Sequence, residues 1–302
     1  MNETAPVDSL VTTDWLAEHL HDASVRVLDV RGFVHHIDQP DGTMVVTYEA
    51  ARADYERGHI PGASFIDWTA DITDPDDPVP VQVAPAARLA ALFGALGLTP
   101  ATHVVVYDHA GSTLATRLWW VFQYAGHQRV SVLDGGFARW TAEGRPVTTE
   151  QPAVTPATYP VTVRPELRTT AEQTLAASQS RSALLIDARA PEQWRGEIIR
   201  SGRAGHIPGA VNLPSAQLFK PEGGFRPVEE LKALLEAAGV TSDTPVIAYC
   251  GGGVAATGVL FALHRTGHTK WANYDGSWNE WGPRADLPAE SEPGVTPQGG
   301  QG

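Results

Sequence analysis

Four short motifs occur twice in this 302-residue chain, in the same order, and that duplication restricts the fold more than any other feature. Val27-Leu28-Asp29-Val30-Arg31 returns as Leu185-Ile186-Asp187-Ala188-Arg189, and His59-Ile60-Pro61-Gly62-Ala63 as His206-Ile207-Pro208-Gly209-Ala210. Val104-Val105-Val106-Tyr107-Asp108 matches Val246-Ile247-Ala248-Tyr249-Cys250, and Asp134-Gly135-Gly136-Phe137 with Trp140 matches Asp275-Gly276-Ser277-Trp278 with Trp281. The offsets are 158, 147, 142 and 141 residues, the signature of two copies of one domain. Their fall places insertions early in the first copy.

Each copy alternates short β-branched runs with longer helical patterns. Leu28, Val105 and Val132, with Ile186, Ile247 and Trp271, fall on expected strands, and residues 83–98 and 227–238 read as helices. The pattern predicts an α/β fold of tandem domains, each a mostly parallel sheet flanked by helices. The first copy is expected at 7–147, a Pro- and Thr-rich linker at 148–164, the second copy at 165–289, and a weakly ordered Gly/Pro-rich tail at 290–302.

The one cysteine, Cys250, ends an apolar run and opens Gly251-Gly252-Gly253-Val254-Ala255-Ala256, which leads into a second apolar stretch. This reads as strand, tight turn and helix start, at the strand end where α/β domains place their sites. Glycines let successive backbone N–H groups turn inward around a negative group. The helix start adds a field that favours a thiolate. Cys250 is therefore the expected nucleophile. Asp108 stands at its place in the first copy and cannot act as a sulfur nucleophile, so one half is expected to carry the chemistry and the other to wall the cleft.

Composition narrows the partners. A net charge of -13 argues against nucleic-acid or acidic-membrane binding while leaving room for a local basic pocket. With one cysteine there is no intrachain disulfide framework, and no ligand set has metal-site spacing, so neither metal nor cofactor is expected. MNETAPVDSL lacks a basic region followed by an apolar core, and no apolar run reaches 18 residues; the expected location is cytoplasmic. An arginine six residues after the cysteine would suit phosphate ester chemistry, but that position is Ala256. No pattern sets the oligomeric state.

The ordered set of motifs resembles the two-domain rhodanese sulfurtransferases over about residues 7 to 285. It includes Gly111-Ser112, Arg117, Trp119-Trp120, Phe122, Gly126-His127 and Leu133 to Trp140 in the first half. In the second half it includes Asp187-Ala188-Arg189, Gly205 to Ala210 and the Cys250 loop. The resemblance implies that Cys250 takes a sulfane sulfur from a small anionic donor, holds it as a persulfide, and passes it to a thiol, cyanide or a thioredoxin-like protein. The loop lacks the cationic pair that follows the cysteine in thiosulfate-preferring members, which favours 3-mercaptopyruvate as donor, with thiosulfate the alternative and a low-activity sulfur carrier or interaction module a second. Gly252 and Ala255 replace the Ser and Thr that this family resemblance leads one to expect. Gln193 stands where it implies a carboxylate-binding arginine.

Candidate substrate contacts are therefore Gln193, Arg195, Arg200 and Arg203. The resemblance adds His59, whose neighbours Arg52 and Asp54 share its ambiguity. Trp278 is a candidate pocket wall or a core residue. Asp187 and Arg189 read as a buried brace for the loop, because Asp29 and Arg31 repeat the pair where the chemistry is absent. His206 reads as a turn-stabilising residue.

Overall fold

The computed structural model describes residues 7–39, 43–110 and 113–291; the Gly111-Ser112 motif and the tail beyond Ser291 lie outside them. Two parallel five-stranded sheets repeat one strand order. In the first half the order is Leu10–Val11, Val130–Leu133, His103–Tyr107, Val25–Asp29, Ser64–Phe65. In the second it is Arg168–Thr169, Trp271–Tyr274, Val246–Tyr249, Leu184–Asp187, Val211–Asn212. The central strands His103–Tyr107 and Val246–Tyr249 are buried along their whole length, as a parallel strand covered on both faces requires.

The expected helices start later than their apolar patterns suggest. They span Ala86–Ala95 and Val228–Ala237, each opening after a proline, Pro85 or Pro227, in extended conformation. The displaced residue Val83 instead donates its N–H to Asp275 Oδ2 of the other half (2.8 Å). Glu290, where the tail was expected to begin, is anchored: it exchanges backbone hydrogen bonds with His206 at 2.8 and 2.9 Å.

The halves share one apolar core. Helix Thr113–Tyr124 packs against helix Ala256–Arg265, and every residue from Leu114 to Gln123 is buried. That explains why the helix has no polar stripe: one face meets its own sheet and the other meets the second half. Trp119 meets Phe261 edge-on at 5.0 Å, and Thr116 Oγ1 lies 3.0 Å from Thr257 Oγ1. Among the described residues, no helix is long and apolar enough to cross a membrane.

A third, small sheet joins the halves. The hairpin Gly32–Asp38 and Thr43–Ala50 is antiparallel, and Thr43–Ala50 pairs in parallel with Ile199–Arg200, placing Arg200 opposite Met44. Asp29 and His59 are 30 residues apart, whereas Asp187 and His206 are 19 apart. The hairpin occupies the extra length of the first copy and carries it across to the second.

Candidate active site

Cys250 follows the last residue of the strand Val246–Tyr249 and is buried, at 3% exposure. Its N–H donates to Ser277 Oγ (3.0 Å), and its carbonyl accepts from Trp278 N–H (3.0 Å). The next carbonyl, of Gly251, accepts from Asn279 N–H at 2.7 Å. Gly253 has φ +74°, and a Cβ there would stand 2.4 Å from the Asp275 carbonyl, so only glycine fits this turn. Its own carbonyl accepts from Arg117 Nη1 (3.2 Å) and Asn273 Nδ2 (3.0 Å). Arg117 belongs to the first half and ion-pairs with Asp275 at 2.5 Å, both side chains being almost completely buried. The first half therefore holds the cysteine loop in place through a charged tie as well as through apolar packing.

With these contacts made, the backbone N–H groups of Gly251 to Ala255 have no protein acceptor among the described residues. Buried N–H groups are costly to leave unpaired, so such a set suits an anion. The first copy supplies a comparison within the same chain. Asp108, at the place of Cys250, has its carboxylate bound by the N–H of Ala110 (3.1 Å) and of Ala115 (2.9 Å). There the loop already encloses a negative group; in the second copy that space belongs to the sulfur.

Cys250, Gly251, Gly252, Val254 and Ala255 line a cavity of about 380 Å3. Gln193, Arg189 and Arg200 join them, and the hairpin contributes Val34, His36 and Tyr48. Arg200 is 6% exposed, and its guanidinium packs flat on the loop: a Cβ on Gly251 would lie 2.1 Å from its Cζ. Its Nε is buried without a partner, and among the described residues no carboxylate pairs with it. Gln193 is buried and donates from Nε2 toward Met44 Sδ at 3.6 Å.

The pair Asp187 and Arg189 is buried, with Arg189 Nη2 at 2.6 Å from Asp187 Oδ2 and a further bond from Nη2 to the Gly205 carbonyl. Burial works against the charge on Arg189, but Asp187 outweighs it and holds the guanidinium above its ordinary pKa; a negative charge on Cys250 acts in the same direction. Asp29, Arg31 and the Gly58 carbonyl repeat the arrangement in the first half.

The remaining expected contacts do not reach the cavity. Arg203 is spent on the carbonyls of Leu287 (2.8 Å) and Trp281 (3.3 Å). Arg195 pairs with Glu197 at 2.6 Å, away from the cavity lining. His59 is fully buried between the carbonyls of Tyr55 (2.9 Å) and Glu150 (3.1 Å), and neither Arg52 nor Asp54 lines the cavity. His206 bonds the Trp194 carbonyl at 2.7 Å and stacks on that ring. Trp278 is a core residue rather than a wall: Arg189 lies over its ring at 4.4 Å, as Arg31 lies over Phe137, and its Nε1–H donates to the Arg200 carbonyl at 2.9 Å. It thus fixes the backbone that carries Arg200. Sequence reasoning missed Tyr48, His36, Met44 and Asn279, for which the falling repeat offset was the available signal only in the case of the hairpin residues.

Comparison with known proteins agrees with the duplicated design. The model of the Rhodanese-like domain matches twice, at residues 12–143 and 170–283. The sulfur carrier protein TtuD of Thermus thermophilus is 37% identical over 293 residues, covering 92% of this chain and 95% of that protein. Mouse thiosulfate sulfurtransferase is 38% identical over 288 residues (92% and 93% covered). The 3-mercaptopyruvate sulfurtransferase of Escherichia coli is 35% identical over 283 residues (93% and 97% covered). The crystal structure of SseA from Escherichia coli, described as a 3-mercaptopyruvate sulfotransferase, superposes with a TM-score of 0.76 at 33% identity, covering 90% of this chain and 99% of that one.

Proposed function

Because this chain belongs to the rhodanese family of sulfurtransferases, with two copies of the domain and a cysteine in the second alone, we propose that Cys250 carries a sulfane sulfur as a persulfide. The thiolate attacks the transferable sulfur of a small anionic donor, the donor's bond to that sulfur breaks with its electron pair leaving on the donor remainder, and the loop N–H groups and the Arg189 charge hold the resulting persulfide anion. A thiol, cyanide or a thioredoxin-like protein thiol then removes the sulfur and restores the thiolate.

The donor proposed is 3-mercaptopyruvate, with pyruvate released. One observation carries this choice: Arg200 is a buried arginine whose guanidinium has no partner among the described residues, packed on Gly251 beside the cysteine. A buried cation of this kind calls for an anion, and a single carboxylate satisfies it with paired hydrogen bonds. The other cation lining the cavity, Arg189, is already committed to Asp187, and much of the rest of the wall is apolar: Val34, Pro191, Pro214 and Val254. That setting suits a monoanion with a short carbon chain better than a doubly charged one.

Thiosulfate is the second reading, favoured by the similarity to the mouse thiosulfate sulfurtransferase, and a carrier role is a third, favoured by the similarity to TtuD. Steady-state comparison of the two donors tests the ranking. A kcat/KM for thiosulfate about tenfold or more above that for 3-mercaptopyruvate, a difference of about 1.4 kcal/mol, would reverse it. A cytoplasmic location belongs to the same proposal, and fractionation of the native cell tests it.

A further inference from the structure

Release of pyruvate from 3-mercaptopyruvate makes a demand that thiosulfate does not. When the carbon–sulfur bond breaks, its electron pair moves to the carbon and generates an enolate, which must gain a proton; sulfite leaves as a stable anion without one. The loop of glycine, valine and alanine residues beside Cys250 offers no side-chain proton. Resting on the donor reading above, we propose that the Tyr48 hydroxyl, delivered by the hairpin found in the first copy alone, supplies it.

The geometry is specific. Tyr48 lines the cavity with Cys250, and a Cβ on Gly252 would stand 3.1 Å from Tyr48 Oη. The ring is held edge-on against Trp68 at 5.6 Å. Asn279 fixes the hydroxyl's direction. Its Oδ1 accepts from Ser201 Oγ (3.0 Å), so its Nδ2–H faces Tyr48 Oη (3.0 Å) and makes that oxygen an acceptor. The tyrosine's own proton is then left over, with no protein acceptor among the described residues. Asn279 N–H also donates to the Gly251 carbonyl, which locks the hydroxyl's support to the cysteine loop itself.

The step balances without an added reagent. The Cys250 thiolate bonds to the mercaptan sulfur, the carbon–sulfur bond breaks, and Tyr48 O–H protonates the carbon to give pyruvate. The tyrosinate takes back the proton of the new Cys–S–S–H group, leaving the persulfide anion and a neutral tyrosine. In thiosulfate turnover no proton moves, so Tyr48 has no such part.

The test compares Tyr48→Phe, Tyr48→Phe with Gly252→Ser, and His36→Gln in the full chain, with thermal unfolding as the check on folding. General acid catalysis contributes about 10²–10⁴-fold, so Tyr48→Phe should lower kcat/KM for 3-mercaptopyruvate about 100-fold more than for thiosulfate. Gly252→Ser, which places a hydroxyl beside the vacated position, should recover part of that selective loss. Equal losses with both donors, or no loss, would overturn the proposal, as would a selective loss in His36→Gln with Tyr48→Phe unaffected. If the wild-type chain takes sulfur from thiosulfate but not from 3-mercaptopyruvate, the donor reading fails and this proposal falls with it. If the wild type uses 3-mercaptopyruvate and Tyr48→Phe does so as fast, this proposal alone falls.

Discussion

Replacing Arg200 by methionine should move activity and stability in opposite directions. Arg200 is 6% exposed, its Nε is buried without a partner, and no carboxylate among the described residues pairs with it. In the free protein it is therefore a desolvated charge held at a cost, and methionine fills a similar length without that cost. Exchanging buried charges for apolar groups of similar volume is often stabilising by about 1–4 kcal/mol, and a value near the low end, about 1 kcal/mol, fits a side chain that opens onto a cavity. For a protein of this size that raises Tm by about 2 °C. The donor loses its counter-charge at the same time. Truncating one partner of a buried charged pair costs about 2–5 kcal/mol, so about 3 kcal/mol, or about two orders of magnitude in kcat/KM for 3-mercaptopyruvate, is expected. Thermal unfolding with and without pyruvate, alongside steady-state kinetics, reads both effects: pyruvate should raise Tm of the wild type and leave the variant unmoved. A variant that loses stability together with activity would show that Arg200 is a structural brace, and one with unchanged kinetics would remove it from the site.

Two further outcomes follow from the buried charges. Arg117→Met leaves Asp275 without its closest cation and the Gly253 carbonyl with Asn273 as its one remaining side-chain donor, so it should cost about 3–5 kcal/mol in chemical unfolding. Combining it with Asp275→Asn should cost clearly less than the two separate losses together, and additive losses would argue against the tie. His127 is buried between Tyr159 Oη (2.7 Å) and the Arg129 carbonyl (3.2 Å), and burial pushes its pKa down to about 4. The folded value lies below the unfolded one of about 6.5, so protons bind the unfolded chain first. The resulting stability is complete above about pH 6.5 and is lost as pH falls toward 4, by at most about 3 kcal/mol. Denaturation at several pH values should show a shallower acid loss in His127→Gln than in the wild type; an identical slope would exclude this histidine as a source.

Much of this design is written locally. The strand before Cys250, the glycines after it and the Asp187–Arg189 brace are short-range patterns, and their recurrence without the cysteine in the first half separates chemistry from support. Asp29 and Arg31 form the same buried pair as Asp187 and Arg189. What sequence could not supply are contacts between the halves. Arg117 resembles any helical arginine until the fold brings it to Asp275, 158 positions away. Arg200 and Arg203 stand three residues apart, and one faces the cavity while the other binds carbonyls, because pairing of Ile199–Arg200 with the hairpin sets the direction. Trp278 reads from its place after a turn as either a pocket wall or a core residue, and it packs under Arg189 as its counterpart Phe137 packs under Arg31. The hairpin itself was visible only as a surplus of residues, and its route to the other half depends on long-range strand pairing that no local pattern encodes.

Sulfur bound at Cys250 is the step on which the proposed chemistry depends. Intact-mass measurement after incubation with 3-mercaptopyruvate, then with thiosulfate, should show one added sulfur on the wild-type chain, removed by a thiol, and none on Cys250→Ser. An unchanged wild-type mass with both donors, or the same added sulfur on Cys250→Ser, would contradict it.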